Sequence, residues 1–139
     1  MPPLTRWYVK TALLYFIAAL TVGVALAAQS VVELPPFVAA LSPVYFHLFM
    51  LGWVAQLIFG IVFWLFPTHT KEQPRGSVPL AQATYLLLNA GLALRVAGEP
   101  LNALLEGGAW GWMLALSAVL QWLAGMAFIA NTWGRVKSK

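Results

Sequence analysis

Residues 42–67, SPVYFHLFMLGWVAQLIFGIVFWLFP, run for 26 positions without one Asp, Glu, Lys or Arg. A helix needs about 20 mainly apolar residues to cross a bilayer, and this stretch supplies them. Three other stretches qualify on the same ground, so the expected spans are roughly 7–29, 43–66, 79–96 and 109–133. Between them lie VVELPPF, PTHTKEQPRGSVP and AGEPLNALLEGG, links rich in residues that end helices. Pro35, Pro36, Pro67, Pro74, Pro79 and Pro100 are all expected at or beyond helix ends.

Composition agrees with lipid as the principal solvent. Of 139 residues, 61% are hydrophobic and 9% charged, and mean hydropathy is +0.79. A soluble domain of this size could not hide so much apolar surface. The chain has no cysteine, which excludes disulfides, thiolate metal sites and iron–sulfur clusters. The first apolar segment ends in ALAAQ, which resembles a signal-peptide cleavage site, but its length reads as a retained helix.

The basic residues orient the spans. Arg6 and Lys10 precede the first, Lys71 and Arg75 follow the second, and Arg135, Lys137 and Lys139 follow the fourth. Glu33 lies between the first two spans, and Glu99 and Glu106 between the last two. By the positive-inside rule both termini and the middle loop are cytoplasmic. The net charge of +4 is therefore an orientation signal, and no nucleic-acid partner is expected. Trp7, Tyr8, Trp64 and Trp133 read as an inner aromatic belt, Trp110 and Trp112 as an outer one. The expected fold is all-α: residues 1–139 form a single domain in the cell membrane, an up-down-up-down four-helix bundle.

His47 is the residue that calls for an explanation. It stands about five residues into the second span, roughly 7 Å deep at 1.5 Å per residue. A polar group inside a span is costly and points to a functional site, though it can also tie one helix to another by a hydrogen bond. At about 100° per residue, Leu51, Val54 and Ile58 share the face of His47, while Gly52, Gln56 and Gly60 form a stripe opposite it. Small residues suit close helix contact, so the stripe is the expected packing face. An imidazole on a bulky apolar face matches haem b, a flat apolar disc whose iron takes a neutral histidine nitrogen.

The pattern His47-x4-Gly52-Trp53-x6-Gly60-x6-Pro67 resembles the second helix of the catalytic subunit of haem-copper oxidases and related nitric oxide reductases. In that family a histidine near the outer end of this helix ligates the low-spin haem, so the resemblance implies an axial role for His47. It covers about 25 of the 139 residues. The family's clustered histidines have no counterpart here, because the chain has two histidines in all. No binuclear centre for reducing oxygen or nitric oxide can be assembled, and such an enzyme is not expected.

The sixth haem ligand stays open on sequence grounds. His69 falls in the cytoplasmic loop, about 33 Å along from His47 at 1.5 Å per residue, and cannot serve. Met113 lies at the expected depth in the fourth span. His47 of a two-fold partner would make a homodimer sharing its haem. The position could also stay free for a diatomic gas. Arg95, near the outer end of the third span, is the candidate partner of a haem propionate, or else it pairs with Glu99 one turn later. Tyr15, Thr21, Gln56, Gln82, Asn89 and Gln121 read as interhelical hydrogen-bonding residues. Electron transfer or gas binding is the expected function. The alternatives are a cofactor-free structural or accessory subunit of a respiratory complex, and a haem carrier or assembly factor.

Overall fold

The computed structural model describes residues 1–68, 70–72, 74–105 and 108–136. His69, Glu106, Lys137 and Lys139, each part of the sequence reading, lie outside them. Among the described residues the chain is all-helical: α1 (Pro3–Ala28), a short α2 (Pro36–Ala39), α3 (Ser42–His47), a π-helical segment (Leu48–Ala55), α4 (Gln56–Leu65), α5 (Val78–Leu104) and α6 (Ala109–Thr132) with a 3₁₀ turn at Trp133–Arg135. Four units, Pro3–Ala28, Pro36–Leu65, Val78–Leu104 and Ala109–Arg135, are long and apolar enough to cross a membrane.

Proline placement explains most of the starts. Pro3, Pro36, Pro43 and Pro79 sit in first turns, where the ring's fixed φ suits a helix and the missing N–H needs no partner. Ser77 caps α5 by accepting from the Leu80 amide at 3.3 Å. Pro100 departs from this rule. It lies inside α5, which runs eight residues past the expected end at 96. A membrane helix tolerates an interior proline where its surroundings satisfy the freed backbone. Continuing the helix also places Glu99 on α5 instead of in a loop.

The helices meet where side chains are smallest. A Cβ on Gly52 would fall 2.8 Å from the Tyr15 ring, and one on Gly60 would fall 2.5 Å from Tyr8 Cβ. The expected Gly52/Gln56/Gly60 stripe is thus a close-packing face, pressed against α1 at its two glycines. Gly91 and Gly98 do the same for α5, against Ser117 and Gln121 and against Leu114 and Met113 of α6. Tyr8, expected in an aromatic belt, is instead core: it is buried and donates its hydroxyl to the Ala81 carbonyl at 2.8 Å. Glycine at 60 removes the side chain that would block this ring. Trp7, Trp112 and Trp133, by contrast, are exposed.

Candidate functional site

The sequence between Ser42 and Leu65 contains no proline after Pro43, yet its hydrogen bonding changes character directly after His47. From Leu48 to Ala55 the backbone is π-helical, with a wider turn than the α-helix. Inside α-helices such turns are rare and cluster at functional sites. The wider turn also redistributes faces. Leu51 packs with Leu88, Leu92 and Ala124 in the bundle core, while Ile58 is exposed. The apolar face expected for Leu51, Val54 and Ile58 together is therefore split. A wheel of about 100° per residue fails across a π turn.

His47 itself is half-buried at the last position of α3. Its α-helical neighbours put it on a boundary, with buried Val44 on one side and exposed Phe46 and Met50 on the other. Its Nδ1 lies 2.8 Å from the Pro43 carbonyl oxygen, one turn back on the same helix. A carbonyl only accepts, so Nδ1 carries the proton and the lone pair of the neutral ring is on Nε2. A histidine that holds iron is oriented in the same way, by donating its other nitrogen to a carbonyl. The bond stays within one helix, so His47 does not use it to tie two helices together.

That task falls to a separate polar junction. Tyr15 donates to Asn89 Oδ1 at 2.9 Å, and Asn89 Nδ2 donates to Gln56 Oε1 at 3.0 Å and to the Tyr85 carbonyl at 2.8 Å. One residue from each of three spans is joined. Thr11 and Tyr85 pair at 2.8 Å beside them, and Ser117 donates to the Gly91 carbonyl at 2.7 Å while accepting from Gln121. Tyr15, Gln56 and Asn89 thus do what the sequence reading expected, whereas Gln121 donates to Ser117 of its own helix. Thr21 does not cross helices, since its hydroxyl donates to Ile17 of its own turn. Gln82 is exposed.

Arg95 donates to Glu99 at 2.9 Å, an i,i+4 pair with both side chains largely buried. Its Nε is buried with no hydrogen-bond partner. The extension of α5 through Glu99 makes this pairing possible. Met113 is half-buried, its Cβ against Gly98, in the contact between α5 and α6. Among the described residues no three His, Cys, Asp or Glu side chains converge. For a haem, the residues present would offer one imidazole nitrogen, Nε2 of His47, with Nδ1 engaged by the Pro43 carbonyl. Two cavities among the described residues, near Leu4 and Phe63 and near Trp7 and Leu86, are lined by none of His47, Arg95 and Met113.

Sequence reasoning missed Arg135. Counted only as a cytoplasmic charge, it is a fully buried cap. Its guanidinium donates to the carbonyls of Phe66 at 2.8 Å, Pro67 at 3.1 Å, Arg75 at 3.3 Å and Phe63 at 3.3 Å. Cations stabilise the carbonyl-rich end of a helix, and the five-donor fork reaches several carbonyls at once. Its one sequence signal is Phe66-Pro67, which ends α4 and strands those acceptors. Comparison of the chain with protein-family models, with curated proteins and with solved structures finds no match in any of the three.

Proposed function

We propose that this chain is a small multi-pass protein of the cell membrane that binds haem b through Nε2 of His47 and acts in electron transfer or in binding a diatomic gas. The observation that carries this reading is the Nδ1–H···Pro43 bond, which sets the tautomer without tying His47 to another helix. His47 would hold the haem from the flank it shares with exposed Phe46 and Met50, with the opposite side taken by a two-fold partner or left free for a gas. Haem bound there supplies iron that cycles between two oxidation states or takes a gas. The chain's own part is to orient the ring, to exclude water with apolar side chains, and to offer Arg95 near the surface for a propionate, in exchange for or beside Glu99. Met113 is the weaker candidate for a sixth ligand, because it packs in the α5–α6 contact.

The bundle is up-down-up-down with cytoplasmic termini. Contacts between Gly23 and Tyr45, Gly52 and Tyr15, and Gly60 and Tyr8 run in opposite directions along the first two spans, which supports this topology, and the basic residues support the orientation. A cofactor-free accessory subunit of a respiratory complex is the second reading. The Tyr15–Asn89–Gln56 junction favours it, being a purely structural use of buried polar groups. An absorption spectrum of the purified chain after haem addition, oxidised and then reduced with dithionite, separates the two. A Soret band lost in His47→Ala supports the haem protein; a wild type that stays colourless rules it out.

A further inference from the structure

One end of the bundle holds a feature that haem binding at His47 does not use. A cavity of about 600 Å³ opens between the start of α1, the end of α4 and the loop that leads into α5. Pro3, Leu4, Phe63 and Val78 give it apolar walls, and Glu72 and Arg75 line its mouth. A second cavity of about 270 Å³ shares Leu4 and Gln82 with the first and extends along α1 and α5 to Trp7 and Leu86. Together they make a groove that is polar at one end and apolar along its length. That is the shape of an amphipath with a head and a chain.

The charge at the polar end is not balanced. Arg75 is exposed, and behind the wall the buried guanidinium of Arg135 holds the carbonyls of Phe63 and Arg75, two lining residues. Among the described residues no carboxylate pairs with either arginine. Glu72 offsets one of the two positive charges. Basic pockets between transmembrane helices recognise anionic lipid head groups, and a guanidinium fork matches a phosphate diester.

We infer that this groove is a binding site for one anionic glycerophospholipid, with its phosphate at Arg75 and an acyl chain along Leu4, Trp7 and Leu86. Arg135 is the positioning residue that fixes the wall.

The detergent-purified full chain is titrated with phosphatidylglycerol or phosphatidylcholine of equal acyl length, and bound lipid is read by native mass spectrometry. The chain is expected to hold one phosphatidylglycerol about tenfold more tightly than phosphatidylcholine, because both carry the phosphate diester but the choline cation of the second offsets its charge and is repelled by Arg75. Arg75→Gln should abolish that preference. Val78→Trp, at a position 47% exposed, should weaken both lipids by filling the groove without disturbing the core. Equal binding of the two lipids by the wild type overturns the proposal, and so does a preference that survives Arg75→Gln or lipid binding that is undiminished in Val78→Trp. Full displacement of phosphatidylglycerol by inorganic phosphate would make this a free-anion site and would also overturn it. None of these readouts depends on haem, so the result stands apart from the spectrum that tests His47.

Discussion

The two ends of the second span use polar groups in opposite ways. At the Leu65 end, Arg135 is fully buried, and its donors are taken up by carbonyls of Phe63, Phe66, Pro67 and Arg75. At the Ser42 end, His47 is half-buried, makes one bond to its own helix and keeps Nε2 available, directly before the backbone widens into a π-helix. At Arg135 the hydrogen-bonding capacity is taken up by carbonyls of the fold, while at His47 one ring nitrogen is engaged by its own helix. If the first group serves stability and the second a ligand, substitution should affect them in opposite ways.

The contrast can be broken from its stable end first. Arg135→Gln should destabilise the bundle by about 3 kcal/mol, because charge-assisted bonds are lost and several carbonyls are stranded together. Denaturation of the purified chain in detergent measures this, and Arg135→Lys should recover only part of the loss, since a point charge cannot span the same acceptors. An unchanged midpoint for Arg135→Gln would mean that the cap is ornamental. Next in size is Gly60→Ala. Its methyl has no room beside Tyr8, and overpacking of this kind costs about 2 kcal/mol. Asn89→Leu should cost about 1 kcal/mol, the usual worth of an interhelical hydrogen bond in a membrane protein, since Tyr15 and Gln56 lose a shared partner. A larger loss than in Gly60→Ala would show the polar junction, rather than close packing, to be the main support.

The smallest stability effect is expected at His47. Replacing it by alanine removes one bond within a single turn, so unfolding should shift by less than about 1 kcal/mol. A loss as large as that of Arg135→Gln would make His47 structural and erase the difference between the two ends.

How much of this was legible in the sequence follows from the range of each interaction. Four spans and the glycine stripe were readable because they depend on composition and on spacing within one helix. The π segment was not, since a uniformly apolar run has no polar face whose drift would betray an extra residue per turn. Pro100 read as a helix end because local chemistry says so, and packing in a membrane overrides it. Arg135 was invisible as a cap because its acceptors lie some 60 to 72 positions away. Arg95 was seen with both of its possible partners, and the longer α5 brings Glu99 within reach.

The most direct test of His47 as a ligand is the reduced-minus-oxidised absorption spectrum of the haem-loaded wild type beside His47→Ala. A Soret band with α and β bands in the wild type, absent from a variant that unfolds at nearly the same midpoint, is the expected result. Equal absorbance in both proteins, or none in the wild type, would contradict it.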